Sequence, residues 1–288
     1  MNLEALIPSA IDGLMLGFVY GLAAMGLTLI FGVMRVINLS HGPVIAVGMF
    51  VVYTLFTGPL AVNPYIGILA ALVFGLVFGV VEYFIAVDRV INEPELTTLL
   101  ATFSVNLMVV GIATILFTTT PRAVDVSLGS LDAGNVTILG THVVSVIVAI
   151  VVAVALYGFL FRTRLGKSIR AVANNRAAAE LMGIDSRRML ALAFGIGTSL
   201  AMVSGALLAT LFPFNPLSGA SYEVKSFVIV VLGGLGNPTG ALVGGIVIGL
   251  LEGVTTVIIP VSWVPVLEYV IFIGILLLRP QGILGARA

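Results

Sequence analysis

Apolar runs of bilayer length, broken at a few defined places, confine this chain to a narrow set of folds. The sharpest break is Arg35-Val36-Ile37-Asn38-Leu39-Ser40-His41-Gly42-Pro43. It follows an apolar run from Gly13 to Val33 and precedes a shorter one from Val44 to Phe56. A helix needs about 20 apolar residues to cross the hydrocarbon core, so the first run spans and the second barely does. Backbone groups freed by Gly or Pro at membrane depth have no water to bond. Such breaks persist only where they face protein or a wet cavity. The stretch is therefore either a polar turn at the membrane surface or the border of a pathway.

The rest of the chain supports the membrane setting. Of 288 residues, 60% are hydrophobic and 9% charged, against roughly 25% charged in soluble domains. With a mean hydropathy of +1.22, no segment is polar enough for a separate soluble domain. The expectation is an all-α polytopic membrane protein with about eight transmembrane helices, broken or re-entrant segments and a candidate inverted repeat. One transmembrane domain would cover residues 1–288. Net charge is zero, which together with the membrane class argues against nucleic acid. The absence of cysteine excludes disulfides, thiolate metal sites and iron–sulfur clusters. Two histidines, His41 and His142, are too few for a histidine metal cluster. No catalytic constellation stands out. The first Lys or Arg is Arg35, so the basic n-region of a secretory signal is missing.

Taken in order, the expected spans are Ile11–Met34, Val44–Phe56, Tyr65–Val87, Leu96–Phe117, Val143–Phe161, Met189–Leu211, Ala241–Ile259 and Val264–Leu278. Val224–Leu232 is about half a span, and Gly233–Gly240 breaks it. Gly13, Gly17 and Gly21 recur at four-residue spacing, as do Gly75 and Gly79, which favours close helix approach. Alternation in Val136–Leu139 suits a short strand. Seven of the thirteen basic residues lie between Arg162 and Arg188, which places that loop in the cytoplasm. Counting crossings from it puts Arg35, Arg89, Arg279 and Arg287 on the same side, Arg122 and Lys225 on the other. The N-terminus, with Glu4 and Asp12, is then outside and the C-terminus inside if Val224–Leu232 counts as a crossing; if that segment only dips in and returns, the tail lies outside and Arg279 breaks the charge rule. A broken region follows an apolar stretch in each half, Asn38–Gly42 and Asn237–Gly240. Interrupted segments paired in this way point to an inverted-repeat transporter.

Leu165-Gly166-Lys167-Ser168 imitates the end of a phosphate-binding loop, but Phe161 stands where the pattern needs its first glycine, so no ATPase is present here. Gly166–Asp185 instead suits one short helix ended by Gly183, with Ile169, Val172 and Ala173 on a face continued by Arg176, Ala177 and Glu180. Such a helix either docks on a partner or simply anchors topology. Glu82, Glu252 and Glu268, with Asn106, lie in or near spans, where ionisable groups are functional suspects, although snorkelling or pairing serves equally well. Trp263, Tyr269 and Tyr65 suit the membrane interface.

Three stretches resemble the branched-chain amino acid ABC-transporter permeases. Gly21-Leu22-Ala23-Ala24-Met25-Gly26-Leu27-Thr28-Leu29-Ile30-Phe31-Gly32, running into Arg35–Gly42, is similar to the family's opening signature. Leu165 through Asp185 resembles its cytoplasmic coupling loop. Gly233–Ala241 and Gly249–Glu252 resemble the C-terminal signature, and Arg279-Pro280-Gln281-Gly282 the tail. The resemblance covers most of the chain. It implies a permease subunit paired with a second, homologous permease in a heterodimer. Two cytosolic ATPases would bind ATP and Mg, and an extracytoplasmic solute-binding protein would deliver branched-chain or related amino acids, urea or short amides. The location implied is a bacterial or archaeal cytoplasmic membrane. On this view Asn38, Ser40, His41, Gly42 and Asn237 border the solute pathway. Gly166, Arg170, Ala171, Asn174, Ala177, Ala178, Glu180 and Gly183 couple to the ATPase. Ser40 departs from the family's frequent alanine before the His-Gly pair. The alternatives are a secondary transporter coupled through Glu82, Glu252 or Glu268, and a channel or membrane scaffold.

Overall fold

Where lipid offers no hydrogen bonds, each apolar run satisfies its own backbone as a helix. The computed structural model describes residues 5–133, 136–278 and 282–284. Glu4, the tail residues Arg279, Pro280 and Gln281, and Arg287 lie outside the described residues. The helices are α1 (Leu6–Met34), α2 (His41–Thr57), α3 (Pro64–Glu82), α4 (Glu95–Phe117), α5 (Gly140–Arg162), α6 (Arg164–Asn174), α7 (Arg176–Leu181), α8 (Ser186–Ala209), α9 (Gly219–Gly233), α10 (Pro238–Ile258) and α11 (Val264–Leu278). A π turn, Tyr83–Val87, continues α3. Val136–Leu139 is a strand, β2, paired antiparallel with β1 (Ser130–Ala133), Ser130 opposite Leu139. Among the described residues seven helical segments are long and apolar enough to cross a membrane. Helices α2 and α9, with 17 and 15 residues, are shorter. The protein is a multi-pass, all-α membrane protein.

One end of the bundle carries the basic loop, the other the β-hairpin. At the basic end Arg187 pairs with Asp88, and Arg176 reaches Asn92. At the hairpin end the backbones of Arg122 and Phe214 bridge. The long buried helices α1 and α8 form the centre. They run antiparallel, Ser204 Oγ donating to Val19 O at 2.9 Å while Gly26 meets Gly197. The glycine stripe of α1 lies on α10: Gly13 meets Gly249 and Gly253, and Gly17 meets Gly245 and Ile246. Gly75 and Gly79 lie in the same way on α8, against Ser199 and Thr198. Small residues bring backbones together where no hydrophobic effect drives helices to associate.

The two halves, α1–α4 and α8–α11, pack in an inverted order. Helix α1 packs on α10 and α8 on α3, while α2 lies beside α8, α9 beside α1, and the two short helices meet each other. Each half has a long helix, a break, a short helix and two further spans, and corresponding helices run in opposite directions. The correspondence differs from the expected one. The break at residues 35–40 matches residues 210–218, between α8 and α9. The Asn237-Pro238 turn matches Asn63-Pro64. In both turns an Asn side chain caps the next helix and Pro occupies its first turn. Asn38-Leu39-Ser40-His41-Gly42 and Asn215-Pro216-Leu217-Ser218-Gly219 are alike in starting with Asn, ending with Gly and holding the Ser that precedes a short helix.

The seam between α1 and α10 has no room for side chains. A Cβ on Gly17 would lie 2.7 Å from Ile246 Cα. Gly17→Leu is expected to cost more than the ~1–3 kcal/mol of ordinary overpacking. Gly158→Leu, with nothing within 4 Å, should leave the protein unchanged. Thermal unfolding in detergent, followed by size-exclusion chromatography, checks both.

Candidate functional site

Helix α1 stops because Arg35 turns left-handed, with φ 54°, its amide still bonded to Phe31 O. The chain then runs back into the bundle without helical bonds, and other elements satisfy it. Thr102 and Asn106, one turn apart on α4, hold it. Thr102 Oγ1 accepts from Leu39 N at 3.2 Å, and Asn106 Nδ2 donates to Leu39 O at 2.6 Å. Asn38 Oδ1 accepts from Ser40 N at 3.0 Å and from Ser40 Oγ at 2.7 Å. Ser40 Oγ also hydrogen-bonds Glu82, the last residue of α3 before the π turn. His41 Nε2 donates to the mid-helix carbonyl of Ala23 at 3.1 Å, which fixes its tautomer, and Nδ1 has no partner. Asn38, Ser40, His41 and Gly42 are buried.

Helix α9 starts at the same depth. A Cβ on Gly42 would lie 2.5 Å from Gly219 O, so the starts of the two short helices touch. From there α2 leads to the hairpin end, where Phe50 and Tyr53 pack on Phe214. Helix α9 leads to the basic end, where the Gly236 backbone meets Gly32. Glu223 of α9 accepts from Asn106 Nδ2 at 3.2 Å, and a Cβ on Gly42 would lie 2.7 Å from its Oε2. Its carboxyl therefore stands beside the start of α2, where the helix leaves amides unpaired. A cavity of about 780 Å³ rises from the basic end between α1, α4, α9 and α11. It is lined by Arg35, Ile37, Glu95, Leu99 and Phe227.

Four expected pathway residues thus come together with Glu82 and Asn106. Asn237 lies apart at the basic end, where it accepts from Thr239 N and Gly240 N and donates to Leu284 O. Thr102 and Glu223 were not singled out in the sequence. Thr102 and Asn106 at i and i+4 on an apolar helix were a usable signal. Glu223 gave none, since it precedes the apolar run of its helix. Lys225, expected outside the membrane, is a buried member of α9. It bridges Glu252 at 2.6 Å and Glu268 at 3.2 Å over the ring of Tyr20. His142 sits 3.7 Å from Asp12 near the hairpin.

The basic loop is two helices, where one was expected. Asn175 breaks it because its side chain accepts from Ala178 N and starts α7 afresh. Gly166 lets α6 fold back onto Phe159 and Leu160, the end of α5. Ile169, Val172 and Ala179 are buried, and Ala171 is half-buried. Arg170 donates to Leu160 O at 3.0 Å and stacks on Phe161, so it anchors the loop. Asn174, Ala177, Ala178, Glu180 and Gly183 are exposed. So are Leu181 and Met182, at 88% and 82%, which form an apolar tip. Gly183, with φ +80°, ends α7. Glu180 is held below its usual range by Ser186 first and Arg176 second. Among the described residues no three His, Asp or Glu group as metal ligands would.

Two outcomes follow from this geometry. Asn106→Leu leaves Leu39 O and Glu223 without their donor, and unfolding in detergent should show a loss of about 1–3 kcal/mol. The Arg187 guanidinium, hydrogen-bonded to Asp88, holds that carboxyl below the usual carboxylate range. The tie is therefore intact above the unfolded value of about 3.9 and is lost as pH falls through the lower folded value. Limited proteolysis should cut residues 162–188 faster in Asp88→Asn at neutral pH, and in the unaltered protein only in acid.

Residues 9–278 match the family described as branched-chain amino acid transport system / permease component. The chain is 30% identical to the high-affinity branched-chain amino acid transport system permease protein LivH of Escherichia coli K12, over 95% of this chain and 94% of that one. It is 27% identical to the corresponding BraD of Pseudomonas aeruginosa, over 96% and 94%. It is 28% identical to the fructose import permease protein FruG of Bifidobacterium longum, over 79% and 69%. No solved structure matches the chain.

Proposed function

The chain belongs to the branched-chain amino acid transport system / permease component family, and from that premise we propose that it moves branched-chain or related small amino acids into the cell. It is a permease subunit of an ABC importer, working with other transport components. The observation that carries the transport reading is the pair of short helices α2 and α9, whose starts meet at mid-bundle beside buried polar side chains. Discontinuous helices at the interface of inverted repeats are how membrane carriers build a central site that opens to either side. Two short helices can shift against each other without breaking a continuous hydrogen-bond ladder.

In this reading the chain pairs with a second, homologous permease, and the cavity at the basic end is one exit of the shared path. The basic loop faces the cytoplasm of a bacterial or archaeal inner membrane, which sets the N-terminus outside and the C-terminus inside. Two cytosolic ATPases bind ATP and Mg, and one of them docks on α6 and α7. Ala177, Ala178, Leu181 and Met182 offer it an apolar tip, while Gly166 and Arg170 fix the loop to α5. An extracytoplasmic binding protein selects the solute. The fructose permease among the relatives fits a scaffold whose cargo is set elsewhere. Glu252 and Glu268 share Lys225, which favours a structural tie over ion coupling.

Uptake of labelled leucine into proteoliposomes holding this chain with its partner permease, ATPases and binding protein tests the reading. Leu181→Asp, inserted normally, should end ATPase co-purification and lower ATP-driven uptake at least about tenfold, as loss of a central apolar contact does. Uptake that needs no ATP and follows a proton or sodium gradient would overturn it.

A further inference from the structure

We propose that Glu82 is a proton site within the membrane, a neutral carboxylic acid whose O–H donates to Ser40 and so fixes the start of α2. The hydrogens available around Ser40 assign the proton. A backbone amide only donates, so the Asn38 atom that Ser40 N meets at 3.0 Å is the amide oxygen. That contact orients the Asn38 side chain, which hydrogen positions alone would leave open. Ser40 Oγ lies 2.7 Å from the same oxygen. Its single hydrogen goes there, since two oxygens that close without a hydrogen repel. What Ser40 presents to Glu82 is then a lone pair, and the hydrogen of their bond belongs to Glu82.

The surroundings agree with a neutral group. Glu82 is 5% exposed, and its second oxygen, Oε2, has no partner. Among the described residues no Lys or Arg nitrogen lies within 4.0 Å of it. The nearest charged pair along the chain, Asp88 with Arg187, is closed on itself at 2.5 Å. A buried carboxylate without a cation is far costlier than a hydrogen-bonded acid. Glu223, the other carboxyl of the cluster, is the contrast. It meets a donor, Asn106 Nδ2, beside the start of α2. One carboxyl gives a hydrogen and the other accepts.

The arrangement also accounts for a missing cap. Ser40 precedes α2 in the capping position, yet its hydroxyl makes no bond to the first amides of the helix. Its hydrogen goes to Asn38, and the Glu223 carboxyl stands beside the helix start in its place. Loss of the Glu82 proton would leave two acceptors competing for one hydrogen, and the Asn38–Ser40 turn would reorganise. Glu82 is thus a positioning residue for α2, with a proton as its ligand.

Difference infrared spectra of the purified, membrane-reconstituted chain test the proton directly and need no transport assay. Glu82→Gln should remove a protonated-carboxyl C=O band, and Ser40→Ala, which deletes only one oxygen, should shift that band. An unchanged protonated-carboxyl region in both variants overturns the proposal. In the uptake assay Glu82→Gln, which still donates, should stay within about threefold of the unaltered protein, while Glu82→Leu should lose about tenfold, the scale of one lost buried hydrogen bond. Equal loss in both would show that the hydrogen bond does not position α2.

Discussion

Everything in this bundle depends on satisfying two interrupted backbones at a depth where water is scarce. Helices α1 and α8 are each followed by a non-helical stretch, residues 35–40 and 210–218, that runs back between other helices. A broken helix exposes donors and acceptors that lipid cannot bond. The first break draws its partners from α3, α4 and α9: Glu82, Thr102, Asn106 and Glu223. The second is more self-contained, with Asn215 and Ser218 bonding within their own turn. The halves share a plan but satisfy it differently, and the richer polar cluster gathers around α2.

The rest of the fold serves to bring those breaks together. Glycine seams between α1 and α10 and between α3 and α8 draw the central helices to backbone contact, which leaves space for two short helices and their loops. Packing of this kind relies on small residues and close van der Waals contact. The polar cluster is also tied to the basic end. Glu82 ends the regular part of α3, the π turn follows, and Asp88 then holds Arg187 at the start of α8. One short stretch of chain joins the start of α2 to the place where the basic loop is anchored.

Much of this was legible in the sequence. The apolar runs located the spans, because twenty residues without charge have few other uses. The glycine spacing named the faces that pack. The polar break at Asn38–Gly42 was visible because it interrupts such runs. What was not legible depends on residues far apart in the chain. Asn237 looked like the counterpart of Asn38, since both precede a glycine-containing span. Only packing shows that the true counterpart is Asn215–Gly219. The break at Asn175 was hidden by the good helix propensity of the alanines after it. Glu223 gave no signal and Lys225 counted as an outer-face charge, because nothing local reveals that one reaches Asn106 beside α2 and the other ties Glu252 to Glu268.

The inverted meeting of α2 and α9 is tested most directly by asking from which side each break is reached. The chain has no cysteine, so single cysteines report without background. Ile37 and Leu217 are exposed, at 42% and 53%, and each lies in one break. Sealed vesicles carrying Ile37→Cys or Leu217→Cys would be treated with a membrane-impermeant maleimide from one face and then from the other. The account predicts that position 37 reacts from the face bearing the basic loop and position 217 only from the opposite face. Reaction of both from the same face would mean that the two short helices do not start from opposite sides, and the inverted arrangement would be wrong.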